Sequence, residues 1–403
     1  MFRGFHGKRT SKLTKAVIII ISITFVGGLA YTGIVFTRRP SPTELGVVAS
    51  VDGKKIGWEL VDRKFKDALL AEYENTGRVL PETRGPIRAS VVDQIINSVL
   101  VTDAMKKEKI QVPAKQVEEE IKKQRDAFPT EDAFQRALKD NNLTVSDLRT
   151  QIRDSLALQT LLTLVKSTAS ASEDAVKDAY TKETGKPAEG KDFDDKRAEI
   201  EGRLRARAEQ EAVVAWLDGL KKDAKIEIFD PEIRAVKKLQ EKSYDDAIAE
   251  YGMAIKKEPD NAYLYVGLAQ AHLGKKDLAG ATQALEKAKE LYPEEPYIGL
   301  LLGTVYRDAG SQDKAGEEFK AASEHGGLDI LLHIRLQSLF KSIGLEDEAR
   351  AEQAKITEIR DLLERRNKEM NAPQEPAAGA ADANGNSEGT NAAGQGQQGD
   401  AKK

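Results

Sequence analysis

The residue types that most often act in catalysis or bind metals are scarce in this sequence. Its 403 residues include four histidines and no cysteine. Disulfides, thiolate nucleophiles and cysteine metal ligands are therefore excluded. The histidines do not have the spacing of a metal site; they are His6, His272, His325 and His333. We expect His272 and His333 to be packed or half-exposed on the first helices of repeat units, and we expect no metal site and no cofactor.

Other catalytic arrangements are also missing. No nucleophile-elbow motif surrounds any serine, and no phosphate-binding GxxxxGK[ST] loop occurs. The acid pairs Asp194-Asp195 and Asp245-Asp246 fall in a linker and at a helix start, where capping and solvation explain them better than acid–base catalysis. We therefore expect that the protein is not an enzyme.

Length and composition indicate a helical protein of two or three domains. Charged residues make up 32% of the chain and aromatic residues only 6%, and the length exceeds that of one ordinary hydrophobic core. The net charge is −4, with basic and acidic residues interleaved. Because no basic stripe is present, nucleic acid is not an expected partner.

The N-terminus has the pattern of a membrane anchor. Residues 1–15 are basic and contain no acid, and residues 16–36 form an uncharged, mostly apolar run that would span about 30 Å as a helix. The charge bias predicts a cytoplasmic N-terminus and a periplasmic remainder in a bacterial inner membrane. The alternative is a signal peptide that is cleaved near Gly28 to Ala30.

After this segment, the sequence predicts a small β element and a series of helices. Residues 46–57 read as two short strands around an Asp52-Gly53 turn. The stretch Ile87 to Ile110 is the helix around which we expect the domain to form, because its apolar residues fall in two adjacent columns; they are Ile87, Val91, Val92, Ile95, Ile96, Val99 and Leu100. Thr144 and Asp147 resemble a capping box.

Several segments, in this order, resemble the N-terminal chaperone region of the SurA/PrsA-type periplasmic foldases. They are VVASVDGKKIGWELVDRKFKDAL, VVDQIINSVLVTDAMKKEKIQVPAKQVEEEI, EDAFQRALKDNNLTVSDLRTQIRDSLALQTLL and SEDAVKDAY. The resemblance implies a helical chaperone domain over residues 44–229, in which Glu227 to Phe229 form a strand that pairs with the first strands. The parvulin-type isomerase domain that usually follows in this family is absent, since only a short link precedes the helix at Lys196 to Lys222.

The pattern changes from residue 230 onwards. Ala247, Ala281, Ala315 and Ala349 recur every 34 residues, which is the period of tetratricopeptide (TPR) repeats. We predict a TPR α-solenoid over residues 230–369, with three clear units, a fourth from Ile330, and a long charged helix from Glu346 to about Glu369 as its cap. Residues 371–403 are rich in Ala, Gly, Asn and Gln and read as a disordered tail.

A TPR stack presents a concave groove that is lined by the first helix of each unit. The predicted partner-binding residues in this groove are Tyr263, Val266, Gln270, Tyr297, Leu300, Thr304 and Arg307. The alternative is that some of them pack within the stack. Because these positions lack the Lys and Asn of a carboxylate clamp, capture of a C-terminal carboxylate is disfavoured.

Two functions are compatible with this organisation. The first is a membrane-anchored, exported chaperone or assembly factor that binds unfolded or nascent envelope and outer-membrane proteins, with the repeats either recruiting a second protein or extending the client-binding surface. The second is a scaffold subunit of an envelope secretion or exopolysaccharide export complex. Neither function requires catalysis.

Overall fold

The computed structural model describes residues 46–141 and 143–370, with the side chains of the last two excepted. The predicted basic segment 1–15, the anchor 16–36 and the tail 371–403 lie outside these residues. Among the helices that are described, none is both long enough and apolar enough to cross a membrane. The predicted anchor therefore stays a prediction.

A three-stranded antiparallel sheet begins the described chain, in the order β2-β1-β3. Strands β1 (Val47–Val51) and β2 (Lys54–Gly57) form the predicted hairpin. Asp52 and Gly53 both have positive φ angles in its turn, as a tight two-residue hairpin requires. Strand β3 (Ile226–Ile228) pairs with β1, with Ser50 opposite Glu227. The predicted closing strand is thus confirmed, although it spans Ile226–Ile228 and so begins one residue before the predicted Glu227.

Helix α1 (Trp58–Thr76) follows the hairpin and leads to α2 (Pro81–Lys107), the predicted organising helix. Helix α2 starts six residues before Ile87 of the predicted stretch, because Pro81 and Glu82 suit a first helical turn. Five of the seven residues in its apolar columns are buried as predicted, while Ile87 and Val99 are half-buried. The buried five, each at most 5% exposed, are Val91, Val92, Ile95, Ile96 and Leu100.

Five further helices complete the N-terminal part of the chain. They are α3 (Ala114–Asp126), α4 (Glu131–Asp140), α5 (Val145–Lys166), α6 (Glu173–Thr184) and α7 (Lys191–Asp223). The capping box of Thr144 and Asp147 at the start of α5 is confirmed. Helices α3 to α5 share one small core around Phe134, and α6 and α7 share another around Tyr180. Residues 185–190 alone connect α6 to α7, so no isomerase domain is inserted there.

The remaining helices form the predicted pairs. They are α8 (Pro231–Gln240) with α9 (Tyr244–Lys257), α10 (Ala262–Gly274) with α11 (Leu278–Leu291), α12 (Pro296–Asp308) with α13 (Gln312–His325), and α14 (Ile330–Ser342) with α15 (Glu346–Met370). The four alanines at the 34-residue period are at most 1% exposed. Gly267 lets two helices approach closely, since a Cβ there would lie 2.4 Å from the ring of Tyr251.

The first hydrophobic core crosses the domain boundary that the sequence predicted at residues 229 and 230. Buried residues of the sheet, α1 and α2 share one cluster with Ile233, Val236, Tyr251 and Ala271 of α8, α9 and α10. The compact unit to which this cluster belongs ends at Gly326, and a second unit begins at Gly327. The predicted boundary at 229 is therefore a boundary in sequence pattern only, because α2 buries apolar surface against both sides of it.

The second unit contains the helix pair α14 and α15. His333 is 1% exposed, and its Nδ1 lies 2.6 Å from Oε2 of Glu352. Its Nε2 lies 3.2 Å from the carbonyl oxygen of Gly327. The expected packing role of His333 is confirmed by this burial, while His272 lies part-buried beside Asp277.

The shared core makes a prediction about cooperativity. Val91→Asp places an unpaired charge among residues of both the N-terminal part and the first repeats, and should cost at least about 3 kcal/mol. We expect urea unfolding, followed by tryptophan fluorescence and by far-ultraviolet circular dichroism, to shift to lower denaturant with both probes together. Gln94→Asp, on the exposed side of the same helix, should leave the midpoint nearly unchanged. Separate transitions for the two probes would contradict the shared core.

Candidate functional site

The first turns of α2 lie against the first helices of two helix pairs. The guanidinium carbon of Arg84 lies 4.1 Å from the ring centroid of Tyr263, within the range of a cation–π contact. Gln270 donates a hydrogen bond of 3.4 Å to the carbonyl oxygen of Glu82. Both Tyr263 and Gln270 belong to the predicted partner-binding groove. In the structure, both residues contact helix α2 of the same chain.

Close backbone approach extends this contact to α8. A Cβ added at Gly85 would lie 3.2 Å from Cγ2 of Val236, so the small residue keeps α2 near the first helix of the first pair. Pro86 follows inside the helix, where it lacks a backbone N–H but lies within the first two turns. The N-terminal end of α2 is thus shaped for close contact with the repeats.

Ion pairs reinforce the same contact. Arg88 pairs with Glu232 and, at 2.8 Å between Nη2 and Oδ2, with Asp230. Farther along α2, Asp93 accepts two hydrogen bonds from Nζ of Lys237, at 2.7 and 3.0 Å. The polar positions opposite the apolar columns of α2 therefore bind α8, a pairing that no local pattern in the sequence indicates.

The Arg88 cluster is largely removed from water. Glu232 is 8% exposed, and burial raises the pKa of its carboxyl, with Asp230 and Glu258 acting in the same direction and Arg88 opposing them. Arg88 and Glu232 also line a cavity of about 160 Å³ that Trp58 borders. Since Arg88 is already paired with both Asp230 and Glu232 within the junction, the cluster serves to hold α2 on the repeats.

The structure separates the predicted groove residues into three groups. Val266, Leu300 and Tyr297 are 1%, 0% and 7% exposed, which corrects the prediction for these three: apolar side chains at these positions gain more from burial in the stack than from lining an open groove. Tyr263 and Gln270 contact α2.

Thr304 and Arg307 form the third group and are half-buried. The hydroxyl of Thr304 donates to the carbonyl oxygen of Leu300, and Arg307 pairs with Asp308. Their part in binding a partner stays a prediction.

No arrangement suited to metal chemistry emerges from the fold. Within residues 46–141 and 143–370, no cluster of three or more His, Asp or Glu side chains could hold a metal ion. The described site itself contains salt bridges, a cation–π interaction and buried apolar side chains.

Comparison with known families agrees with this division of the chain. A family model described as "SurA-like N-terminal domain" matches residues 1–162. A second, described as "Tetratricopeptide repeat", matches residues 238–304. The chain joins a SurA-like N-terminal domain to tetratricopeptide repeats. This pair of domains supports a protein-interaction, chaperone-like role.

Two similar solved structures each cover somewhat less than half of the chain. The crystal structure of MamA is 22% identical and covers 43% of this chain and 96% of its own, with a TM-score of 0.30. The thermophilic TPR protein TTC0263 of Thermus thermophilus is 25% identical and covers 42% of this chain and 93% of its own, with a TM-score of 0.28. No curated protein matches the chain at a significant level.

The junction between the SurA-like domain and the TPR repeats can be tested through Arg88. Arg88→Ala should destabilise the first unit by about 2–3 kcal/mol near neutral pH, because the buried carboxylate of Glu232 and the half-buried carboxylate of Asp230 lose their counter-charge. Arg88 opposes the raised pKa of Glu232, so its removal lets that carboxyl bind a proton at higher pH. The loss should therefore shrink as the pH falls from about 8 to about 5.

Two control variants accompany this measurement by urea unfolding. Arg63→Ala removes an exposed arginine of α1 and should change stability little. In a Glu232→Gln background, the effect of Arg88→Ala should be smaller and less dependent on pH. A loss that is equal at both pH values would show that the carboxylates do not respond to Arg88.

Proposed function

We propose that the protein is an exported, membrane-anchored chaperone or assembly factor that holds unfolded or nascent envelope proteins without catalysis. The observation that carries the proposal is the joining of a SurA-like domain to TPR repeats through one hydrophobic core. Such a molecule offers clients a folded surface, and it can bring them to a second protein.

Exposed apolar side chains in the N-terminal part of the chain support client binding. Leu70 and Tyr73 on α1 are 58% and 57% exposed, Leu164 on α5 is 52% exposed, and Val214 on α7 is 60% exposed. Large apolar groups that remain in water can cover apolar segments of an unfolded chain and keep those segments from aggregating. We propose that these four side chains contact clients.

Light scattering of a diluted, unfolded outer-membrane protein tests this role. The full chain in mild detergent should suppress the scattering. The variant Leu70→Ser, Tyr73→Ser, Leu164→Ser, Val214→Ser should lose about half of this suppression or more, without a change in melting temperature. A control that carries Glu74→Ser and Lys166→Ser, at exposed polar neighbours on the same helices, should act like the parent chain.

If the full chain leaves aggregation unchanged, the chaperone proposal is wrong and the scaffold function becomes the better one. Crosslinking in cells then separates the two directly. A chaperone should capture many unfolded envelope proteins, whereas a scaffold subunit should recover one or a few folded proteins.

The proposed location in the inner membrane rests on the sequence of residues 1–36. Alkaline phosphatase, which is active only after export, should be active when fused to the C-terminus of the full chain, and the activity should stay with the membrane fraction. Deletion of residues 16–36 should abolish the activity. Active but soluble fusion protein would favour a cleaved signal peptide, and inactive fusion protein would contradict export.

A further inference from the structure

The first helix of the last repeat carries apolar side chains that the described structure leaves in water. Leu328, just before α14, is 51% exposed, and Leu331 and Ile334 within α14 are 51% and 40% exposed. Arg335, Ser338 and Lys341 are exposed or half-exposed as well. Because these positions recur at steps of three or four residues, they share one face of the helix.

The 34-residue period relates this face to positions whose role is visible elsewhere in the chain. Leu331 is the equivalent of Tyr263 two repeats earlier, and Ser338 is the equivalent of Gln270. Tyr263 and Gln270 both contact α2. In the first compact unit, both of these repeat positions contact α2. On α14, one of the two equivalent residues, Leu331, is apolar and exposed.

The charged side chains on the exposed face of α14 are opposite in sign to those on the repeat surface that contacts α2. In the first compact unit, α2 brings Arg84 and Arg88 to a surface that carries the acids Asp230 and Glu232. On α14 the exposed charges are Arg335 and Lys341, and neither forms an ion pair with any residue in the described part of the chain. The one acidic residue at the start of this helix, Asp329, accepts hydrogen bonds from the backbone N–H groups of Leu331 and Leu332 and so acts as its cap.

We propose that this face of α14, formed by Leu328, Leu331, Ile334, Arg335 and Lys341, binds an acidic amphipathic helix of a partner protein. The partner's apolar side chains would cover the exposed leucines and isoleucine, and its Asp or Glu residues would pair with Arg335 and Lys341. This inference is independent of client binding by the SurA-like domain. The face of α14 belongs to the second compact unit, whereas the side chains proposed to contact clients belong to the first.

Fluorescence anisotropy with designed peptides tests the proposal on the full chain. The probe is a labelled helical peptide with leucines at positions i, i+3, i+4 and i+7 and glutamates on the flanks. The first comparison peptide replaces every glutamate by lysine, and the second has the same residues in scrambled order. The acidic helix should bind, the basic one should bind at least about tenfold more weakly, and added salt should narrow this difference.

Variants of α14 assign the binding to this face. Leu331→Ser with Ile334→Ser should weaken binding of the acidic peptide by about tenfold or more. Arg335→Glu with Lys341→Glu should reverse the preference, so that the basic peptide binds better. The matched control is Arg360→Glu, an exposed reversal on α15, which should leave both affinities unchanged, and circular dichroism should show intact helices in each variant.

Three results would overturn the proposal: no binding of the acidic peptide at millimolar concentration, equal binding of all three peptides, or binding that the α14 variants do not alter. The chaperone proposal is measured separately by light scattering. A variant that no longer binds the peptide but still suppresses aggregation would therefore support two independent surfaces. A negative result for peptide binding would contradict only the α14 proposal, and a negative result for light scattering would contradict only the chaperone proposal.

Discussion

The contact between α2 and the first repeats is the constraint on which the rest of the structure depends. Helix α2 buries one face under the sheet and α1, and places Arg84, Arg88 and Asp93 against the repeats. An arginine that satisfies two carboxylates in a mostly buried setting must be positioned accurately, because an unpaired charge there would cost several times the thermal energy. The SurA-like domain and the first repeats are consequently parts of one folding unit.

This arrangement changes what the repeats can do. A partner that entered the groove at Tyr263 and Gln270 would have to displace the start of α2, and with it part of a core that extends from Val48 to Ala271. Domain stability is typically about 5–15 kcal/mol, whereas micromolar binding supplies about 8 kcal/mol. Displacement would therefore consume most or all of the binding free energy. The first part of the groove is better understood as a structural contact than as a recruitment site.

The sequence predicted the elements well because their signals are local. The Asp52-Gly53 turn, the Thr144 capping box and the columns of α2 each depend on residues within a few turns of each other. The 34-residue period correctly predicted that the repeat alanines are buried, because the same buried position recurs in four successive units. Even β3 was anticipated, although only through the resemblance to the SurA-type domain.

The candidate site was harder to predict, because its contacts join distant parts of the chain. Arg88 and Asp230 are 142 positions apart, and nothing in either local pattern indicates the other. The groove prediction was wrong at Val266 and Leu300 for a related reason: the exposure of a repeat position depends on what covers it, which a single sequence does not reveal.

The repeats illustrate how one backbone period can serve two tasks. In the first compact unit, the positions that meet α2 carry Glu232, Val236, Tyr263 and Gln270, a mixture that accepts a basic helix end from the same chain. On α14 the corresponding face carries exposed Leu331 and Ile334, with cations alongside. An internal ligand is present at a high effective concentration and needs little intrinsic affinity, so the surface that receives it can include polar side chains such as Glu232 and Gln270. A surface that must bind a separate molecule needs apolar area and a charge pattern of its own, and the change of side chains at a constant spacing supplies both.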